Sequence, residues 1–273
     1  MKIALSLVLL LPAAVLAQSP AASASGAAPA PAPAPAPAAT KPALPAAATV
    51  LAKFRDAMGS RTWLAAPAVT STGTFEMPAA GLKANFELVQ VAPNRMRLAI
   101  NIPGMGAIES GYDGSTAWAS DPMQGPRILA GRELDQMREE SDLRAAVRDA
   151  ALFTAAETVA DTTMNGDRCY LVKLTWKSGR TTSDCFSAAT GLTVATVSEQ
   201  QTSMGPMTVT SYVGEWKDFG GVKTPTRLVQ RMMGQEQIMT ITDVKIGKPA
   251  TDVVAPEPIK ALKAAGAAAP AKP

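Results

Sequence analysis

The sequence contains no histidine among its 273 residues. This absence removes serine–histidine and cysteine–histidine nucleophile systems, imidazole metal sites and the commonest general base. An enzyme built from this chain would have to work with a carboxylate pair, a lysine or a tyrosine. The chain also lacks a large excess of charge of either sign, because 26 basic and 23 acidic residues leave a net charge of +3. That balance creates no strong field for an anionic polymer, so we predict no nucleic-acid partner.

Two carboxylate pairs remain as candidates for catalysis, Asp113 with Asp121 and Glu133 with Asp135. Each has a structural explanation. Asp113 lies in the glycine-bracketed turn GYDGSTAW, and Asp121 directly precedes a proline. Glu133 and Asp135 fall in the first turn of a predicted helix, where the helix dipole favours anions. With no glycine-rich phosphate loop or acidic metal-binding loop in the sequence, we predict no enzymatic activity, no cofactor and no metal. A histidine-free hydrolase is the least favoured alternative.

Aromatic residues are scarce, at 5% of the chain, whereas methionine is abundant, with 13 residues against six phenylalanines and three tyrosines. Many of the methionines fall in or beside the predicted strands and helices. Methionine is flexible and polarizable, which suits an apolar surface that repacks around changing partners. Gap filling in an ordinary core is the alternative explanation.

The two ends of the chain have compositions that do not favour folding. Residues 1–17, MKIALSLVLLLPAAVLA, have the layout of a cleaved signal peptide and are too short to span a bilayer, with an uncleaved anchor as the alternative. Residues 18–47 are rich in alanine and proline and predict a disordered, polyproline-like spacer. Residues 256–273 predict a disordered tail. We therefore expect a periplasmic protein whose mature form has no transmembrane segment.

Residues 48–255 form the predicted folded domain. A short helix is expected in the run TVLAKFRDAMGS, and from Val69 onward apolar and polar residues alternate between turn signals. A helical region at 132–153 interrupts about eleven or twelve predicted antiparallel strands. The fold class is therefore mainly β with helices, α+β. Cysteine is limited to Cys169 and Cys185, and an even count in an exported chain favours a disulfide over two buried thiols.

One stretch resembles a known family. The run VAPNRMRLAINIPGMGAIESGYDGSTAWASDPMQGP, beginning at Val91, resembles the periplasmic carrier that sorts outer-membrane lipoproteins and the wider LolA-like superfamily of half-barrel lipid binders. The later runs FSAATGL and FGGVKTPTRL resemble recurring hairpins of that superfamily. The resemblance implies a strongly curved antiparallel sheet of about 11 strands that forms an unclosed barrel, with helices plugging its open side and an apolar cavity that takes acyl chains.

This resemblance also implies which residues line the cavity, with the indole of the tryptophan pointing inward. The expected ligand-binding residues, from the strands and then from the helical lid, are Phe75, Phe86, Leu88, Met96, Leu98, Ile100, Trp118, Leu134, Met137 and Val147. One position departs from the family. In the lipoprotein carriers an arginine precedes the Pro-Asn pair and holds the lid by hydrogen bonds, whereas this chain has Ala92 there. The resemblance therefore implies the superfamily fold more strongly than the carrier function.

Together these features predict an exported, non-enzymatic protein that holds a lipid, an acyl chain or another apolar ligand in a half-barrel cavity. Lipid or lipoprotein trafficking in the cell envelope is the implied process. The alternative is a non-catalytic structural or interaction module, with its interior filled by its own side chains. Such a module would be displayed on the proline-rich spacer to contact an envelope protein or lipoprotein.

Overall fold

A computed structural model of the chain describes residues 43–202, 205–249 and 252–268. All of them belong to one compact unit, which begins at Ala43. The predicted signal peptide and most of the predicted spacer lie outside the described residues. The first helix begins at Ala47.

The described residues contain one antiparallel sheet of 13 strands. The strands are β1 Ala68–Met77, β2 Leu82–Val91, β3 Arg95–Ile102, β4 Gly106–Tyr112, β5 Ala117–Asp121, β6 Gly125–Ile128, β7 Phe153–Met164, β8 Asp167–Trp176, β9 Thr181–Ser187, β10 Thr193–Thr202, β11 Gly205–Asp218, β12 Lys223–Met232 and β13 Gln235–Ile246. Their spatial order runs β6-β5-β4-β3-β2-β1-β13-β12-β11-β10-β9-β8-β7. The strands at the two ends, β6 and β7, do not pair with each other within the described part, so the barrel is not closed. The predicted fold class is confirmed, with 13 strands where about 11 were expected.

Within the described residues, five α-helices accompany the sheet. They are α1 Ala47–Met58, α2 Ser60–Ala65, α3 Gly131–Ser141, α4 Leu143–Ala146 and α5 Glu257–Ala268. None of these described helices combines the length and apolar character needed to cross a membrane. The tail predicted to be disordered over 256–273 is different in the structure, because residues 257–268 form α5. Ile259 on this helix is fully buried, and this anchoring residue explains why an alanine-rich segment is ordered.

The sheet has two faces, which we name by what covers them. The inner face bears Val69 and Phe186, and α1 packs on it through Leu51 and Phe54. The rings of Phe54 and Phe186 lie 5.1 Å apart between centroids. The outer face is the opposite one. Because strand side chains alternate between faces, the pairing register assigns every strand position to one face or the other.

The predicted disulfide is confirmed, and it lies on the outer face. Cys169 on β8 and Cys185 on β9 are joined with a Cα–Cα distance of 5.5 Å. Both are fully buried and pack with Ala195 of β10. The bridge therefore joins two neighbouring strands, β8 and β9, near one end of the sheet and lies away from the helices.

Candidate functional site

An apolar cluster covers part of the inner face. Its buried members come from β1, β2 and β3, and partly buried side chains of the same strands and of β13 pack against them. The apolar cluster comprises Phe75, Ala84, Phe86, Ile100 and Ile102, with Met77, Leu82, Leu88, Leu98, Met239 and Ile241. Strand pairing brings these residues together, because Phe86 faces Ile100 and Leu88 faces Leu98 across β2 and β3.

Five of the predicted ligand-binding residues thus lie in one cluster: Phe75, Phe86, Leu88, Leu98 and Ile100. Every member comes from a strand, and no side chain of the described helices belongs to the cluster. Leu88 and Leu98 remain partly exposed. The cluster is therefore an apolar wall with some accessible surface, which is what an apolar ligand requires.

The other predicted ligand-binding residues lie outside the apolar cluster. Met96 lies on the same face, partly exposed, opposite Tyr112 of β4. Leu134 and Met137 of α3 pack in a cluster with Tyr112, residues of β5 and Leu129, which directly follows β6, rather than against the apolar cluster. Val147, directly after α4, is fully buried in the core that α1 forms with the sheet. The structure therefore separates the lid residues from the strand residues with which they were grouped.

Trp118 lies on the outer face, so the expectation that its indole points into the cavity is wrong. Arg97 pairs with Gly111, and Gly111 pairs with Trp118, which places Trp118 on the face opposite Leu98. A Cβ added to Gly111 would lie 2.5 Å from Cζ2 of Trp118, so only glycine leaves room for the indole. The ring packs with apolar residues of β1, β2 and the C-terminal segment: Ala68, Val89, Val91, Val253, Ala255 and Ile259.

Asp113 and Asp121 both serve turns, as their structural explanation predicted. Oδ1 of Asp113 accepts hydrogen bonds from the backbone N–H groups of Ser115 and Thr116, at 2.9 and 2.8 Å. Partial burial raises the pKa of Asp113, but these hydrogen bonds outweigh that effect and hold its pKa below the usual value. Oδ1 of Asp121 accepts two backbone N–H groups in the next turn, each at 2.8 Å.

The other carboxylate pair is also held in structural contacts. Both oxygens of Glu133 accept hydrogen bonds from the guanidinium of Arg127, at 2.8 and 2.9 Å. Asp135 lies 3.5 Å from Arg138 one turn further along α3. Glu133 therefore ties the start of α3 to β6.

A second feature, which sequence reasoning missed, is a polar cleft between the α3–α4 region and β8–β10. Its volume is about 230 Å³. It is lined by Gln90, Glu140, Ala145, Ala146, Arg148, Trp176, Arg180, Thr182, Asp184, Thr196 and Ser198. A larger cavity of about 410 Å³ adjoins it through Arg180 and is lined by polar and charged residues of α3, β10 and the β8–β9 turn. The expectation of a hollow lined throughout by hydrocarbon is therefore wrong for these two cavities.

Ion pairs organise the polar cleft. Asp184 is fully buried and accepts a hydrogen bond from Nε of Arg148. Arg180 donates to Glu139 at 3.1 Å and lies 3.7 Å from Glu140. Desolvation raises the pKa of Glu140 and outweighs the opposing charge of Arg180. Opposite charges are therefore matched at close range inside the cleft.

The only sequence signal for this cleft is weak. Asp184 stands in TTSDCFS, where strand alternation places it on the inner face between Thr182 and Phe186. A charged residue at a buried strand position requires a partner. That partner, Arg148, is remote in the sequence and follows the four-residue helix α4. The sequence spacing therefore could not indicate that Asp184 and Arg148 form an ion pair.

Comparison with known proteins identifies the fold. No protein-family model and no curated protein matches the sequence. Among solved structures, the chain is similar to a LolA superfamily protein from Nitrosomonas europaea, with 12% identity, coverage of 76% of this chain and 96% of that chain, and a TM-score of 0.52. It is also similar to a DUF1329 family protein from Desulfovibrio piger, with 11% identity, coverage of 76% and 95%, and a TM-score of 0.52. The chain therefore has a LolA-like fold, and the resemblance seen in the sequence is confirmed at that level.

Proposed function

We propose that this chain is an exported, non-enzymatic binding protein of the cell envelope that holds an acyl chain or another lipid hydrocarbon against its apolar cluster. The observation that carries this proposal is the apolar cluster itself, an inner-face wall that contains no side chain of the described helices and leaves Leu88 and Leu98 partly exposed. The LolA-like fold supports it. The signal-like residues 1–17 and the composition of residues 18–42 support a periplasmic location.

Hydrocarbon burial is sufficient to supply the affinity. Each methylene removed from water contributes about 0.8 kcal/mol, so an eight-carbon chain contributes about 6 kcal/mol before the cost of association. This hydrocarbon contribution does not depend on any hydrogen bond or charge of the ligand. Binding through the cluster alone is therefore expected to be weakly selective among chains of equal length.

The test is a fluorescence titration of the purified full chain with N-phenyl-1-naphthylamine, a dye that brightens in apolar surroundings. Leu98→Asn should weaken binding about tenfold, because an amide buried against hydrocarbon costs about 1–3 kcal/mol. Leu262→Asn is the matched control, since Leu262 lies on α5 and is 41% exposed. An unchanged affinity in Leu98→Asn, or no binding by the wild-type chain, would contradict the proposal.

A second candidate function is favoured by one observation. Phe75, Phe86 and Ile100 are only 3–6% exposed. Side chains that already bury one another suit a structural or interaction module displayed on the spacer. Native mass spectrometry distinguishes the two, because a lipid carrier should retain lipid after purification and a filled module should not. Deleting residues 18–42 should leave dye binding unchanged in the carrier.

A further inference from the structure

The polar cleft contains an unsatisfied carboxylate oxygen. Asp184 has no exposed surface, and it lines the cleft. Its Oδ2 is paired with Arg148, whereas its Oδ1 has no hydrogen-bond partner within the described part of the chain. Buried polar atoms in folded proteins are nearly always paired, because an unpaired one loses its bonds to water without replacement. A buried, unpaired acceptor on a residue that lines a cavity therefore points to a donor that the protein does not itself supply.

Neutral hydroxyl and amide side chains line the same cleft as Asp184. Thr196 lies opposite Asp184 and Ser198 lies opposite Thr182 in the β9–β10 pairing, so all four share the inner face. Gln90 contributes an amide from β2. Hydroxyl and amide groups both donate and accept, and they match a ligand that does the same.

The cations of the cleft are already neutralised. Arg148 is bonded to Asp184 and also donates to the carbonyl oxygen of Ala145 at 2.7 Å. Arg180 is held by Glu139 and Glu140. An anionic group entering the cleft would find no unmatched positive charge and would meet the carboxylate of Asp184. The cleft is therefore suited to an uncharged ligand.

The cleft and the apolar cluster are neighbours along one strand. Leu88 belongs to the apolar cluster, and Gln90, two residues further along β2, lines the cleft. Residues two apart on a strand share a face and lie about 7 Å apart. Met96 stands opposite Gln90 on β3 and continues the apolar surface to this point. One molecule with a hydrocarbon chain and a polar end can therefore contact both.

We propose that the polar cleft binds an uncharged, hydroxyl-bearing headgroup, with a ligand hydroxyl donating to Oδ1 of Asp184, while the attached chain lies on the apolar cluster. This inference rests on the proposed function for the chain half of the ligand. It adds the chemical class of the headgroup. Arg148 and the hydroxyls of Thr196 and Ser198 complete the set of groups that a sugar or glycerol moiety would contact.

The test compares n-octyl β-D-glucoside, n-octyl phosphate and methyl β-D-glucoside as ligands of the full chain, by isothermal titration calorimetry. The octyl glucoside should bind about tenfold more tightly than the octyl phosphate. Methyl glucoside, which lacks the chain, separates a lipid headgroup from a free sugar and should bind at least tenfold more weakly. Equal or tighter binding of octyl phosphate, or methyl glucoside as tight as octyl glucoside, would overturn the inference.

Variants assign the effect to the cleft. Asp184→Asn should weaken octyl glucoside binding about tenfold and leave N-phenyl-1-naphthylamine binding unchanged. Ser198→Ala keeps the Asp184–Arg148 pair and serves if Asp184→Asn does not fold; it should weaken octyl glucoside binding about threefold. Wild-type affinity for octyl glucoside in the folded variants overturns the inference. If the dye binds but octyl glucoside has no advantage, the headgroup assignment fails alone, whereas loss of all apolar binding also refutes the proposed function.

Discussion

Replacing Ile259 with alanine tests whether α5 covers the outer face of the sheet. Ile259 is fully buried and packs in the cluster that contains Trp118, Val89 and Val91. Its neighbour on the same helix, Leu262, is 41% exposed. The two positions therefore form a matched pair in which only one side chain is fully buried.

The expected cost follows from the size of the truncation. An Ile→Ala change in a core costs about 2–5 kcal/mol, and the lower end applies where the surroundings can relax. Because α5 follows the last strand and can shift, we expect about 2 kcal/mol of docking free energy to be lost, which raises the undocked fraction roughly 30-fold. Leu262→Ala should change stability by no more than about 0.5 kcal/mol.

Hydrogen exchange and acrylamide quenching measure this opening directly. In Ile259→Ala, the amides of residues 257–265 should exchange faster and Trp118 should become accessible to the quencher, while dye binding stays at the wild-type level because the apolar cluster lies on the other face. Equal exchange in Ile259→Ala and Leu262→Ala would refute the docking of α5. A loss of dye binding as large as that of Leu98→Asn would refute the assignment of Trp118 to the outer face.

Three further outcomes are expected. Replacing Cys169 and Cys185 together with alanine should lower the free energy of unfolding by about 3 kcal/mol, because the bridge closes a loop with a separation of 16 residues; urea unfolding with and without reductant checks this, and a loss below about 1 kcal/mol would contradict it. Glu140 has a raised pKa in the folded chain, so its ionisation opposes folding as pH rises above the usual carboxyl pKa. Glu140→Gln should therefore gain stability relative to wild type between pH 3 and pH 7. A difference in the free energy of unfolding in urea that stays constant over this range would contradict the prediction. Asp113 has a lowered pKa, so its contribution is present above the usual carboxyl pKa and is lost as pH falls through the folded value; Asp113→Ala should cost about 1 kcal/mol at pH 7 and less at pH 2 by the same measurement.

Strand alternation predicted the inner face of the first three strands well. Phe75, Phe86 and Ile100 lie in the stretch where apolar and polar residues alternate, and the structure places them in one cluster. The reason is physical: when one face of an antiparallel strand is buried, apolar residues recur at every second position of its sequence. Trp118 was misplaced because Ala117 and Trp118 are both buried. On a strand buried on both faces, alternation carries no information about which face is which.

The docking of α5 on the outer face and the polar cleft were missed for a different reason. Composition alone made residues 256–273 appear disordered, and a single isoleucine, Ile259, anchors α5 to residues far away in sequence. Asp184 and Arg148 are likewise brought together by folding rather than by spacing. A pair or contact that depends on long-range packing leaves no periodic pattern in the chain, so local reasoning has nothing to detect.

The two inner-face features would divide the work of binding unequally. Hydrocarbon contact scales with chain length and would supply most of the affinity. The cleft would supply orientation, and its selectivity has a natural limit. A ligand without a hydroxyl makes no hydrogen bond to Oδ1 of Asp184, which stays unpaired as it is in the structure. Such a ligand lacks the favourable energy of that bond, but its binding leaves no further polar group unpaired. Selection for the headgroup is therefore bounded by the hydrogen bond gained, about 1.5–3 kcal/mol for a charged acceptor, or roughly ten- to a hundredfold in affinity. Exclusion of anions by the same carboxylate adds to this discrimination, since a phosphate entering the cleft would have to displace one of the ion pairs that already satisfy Arg148 and Arg180.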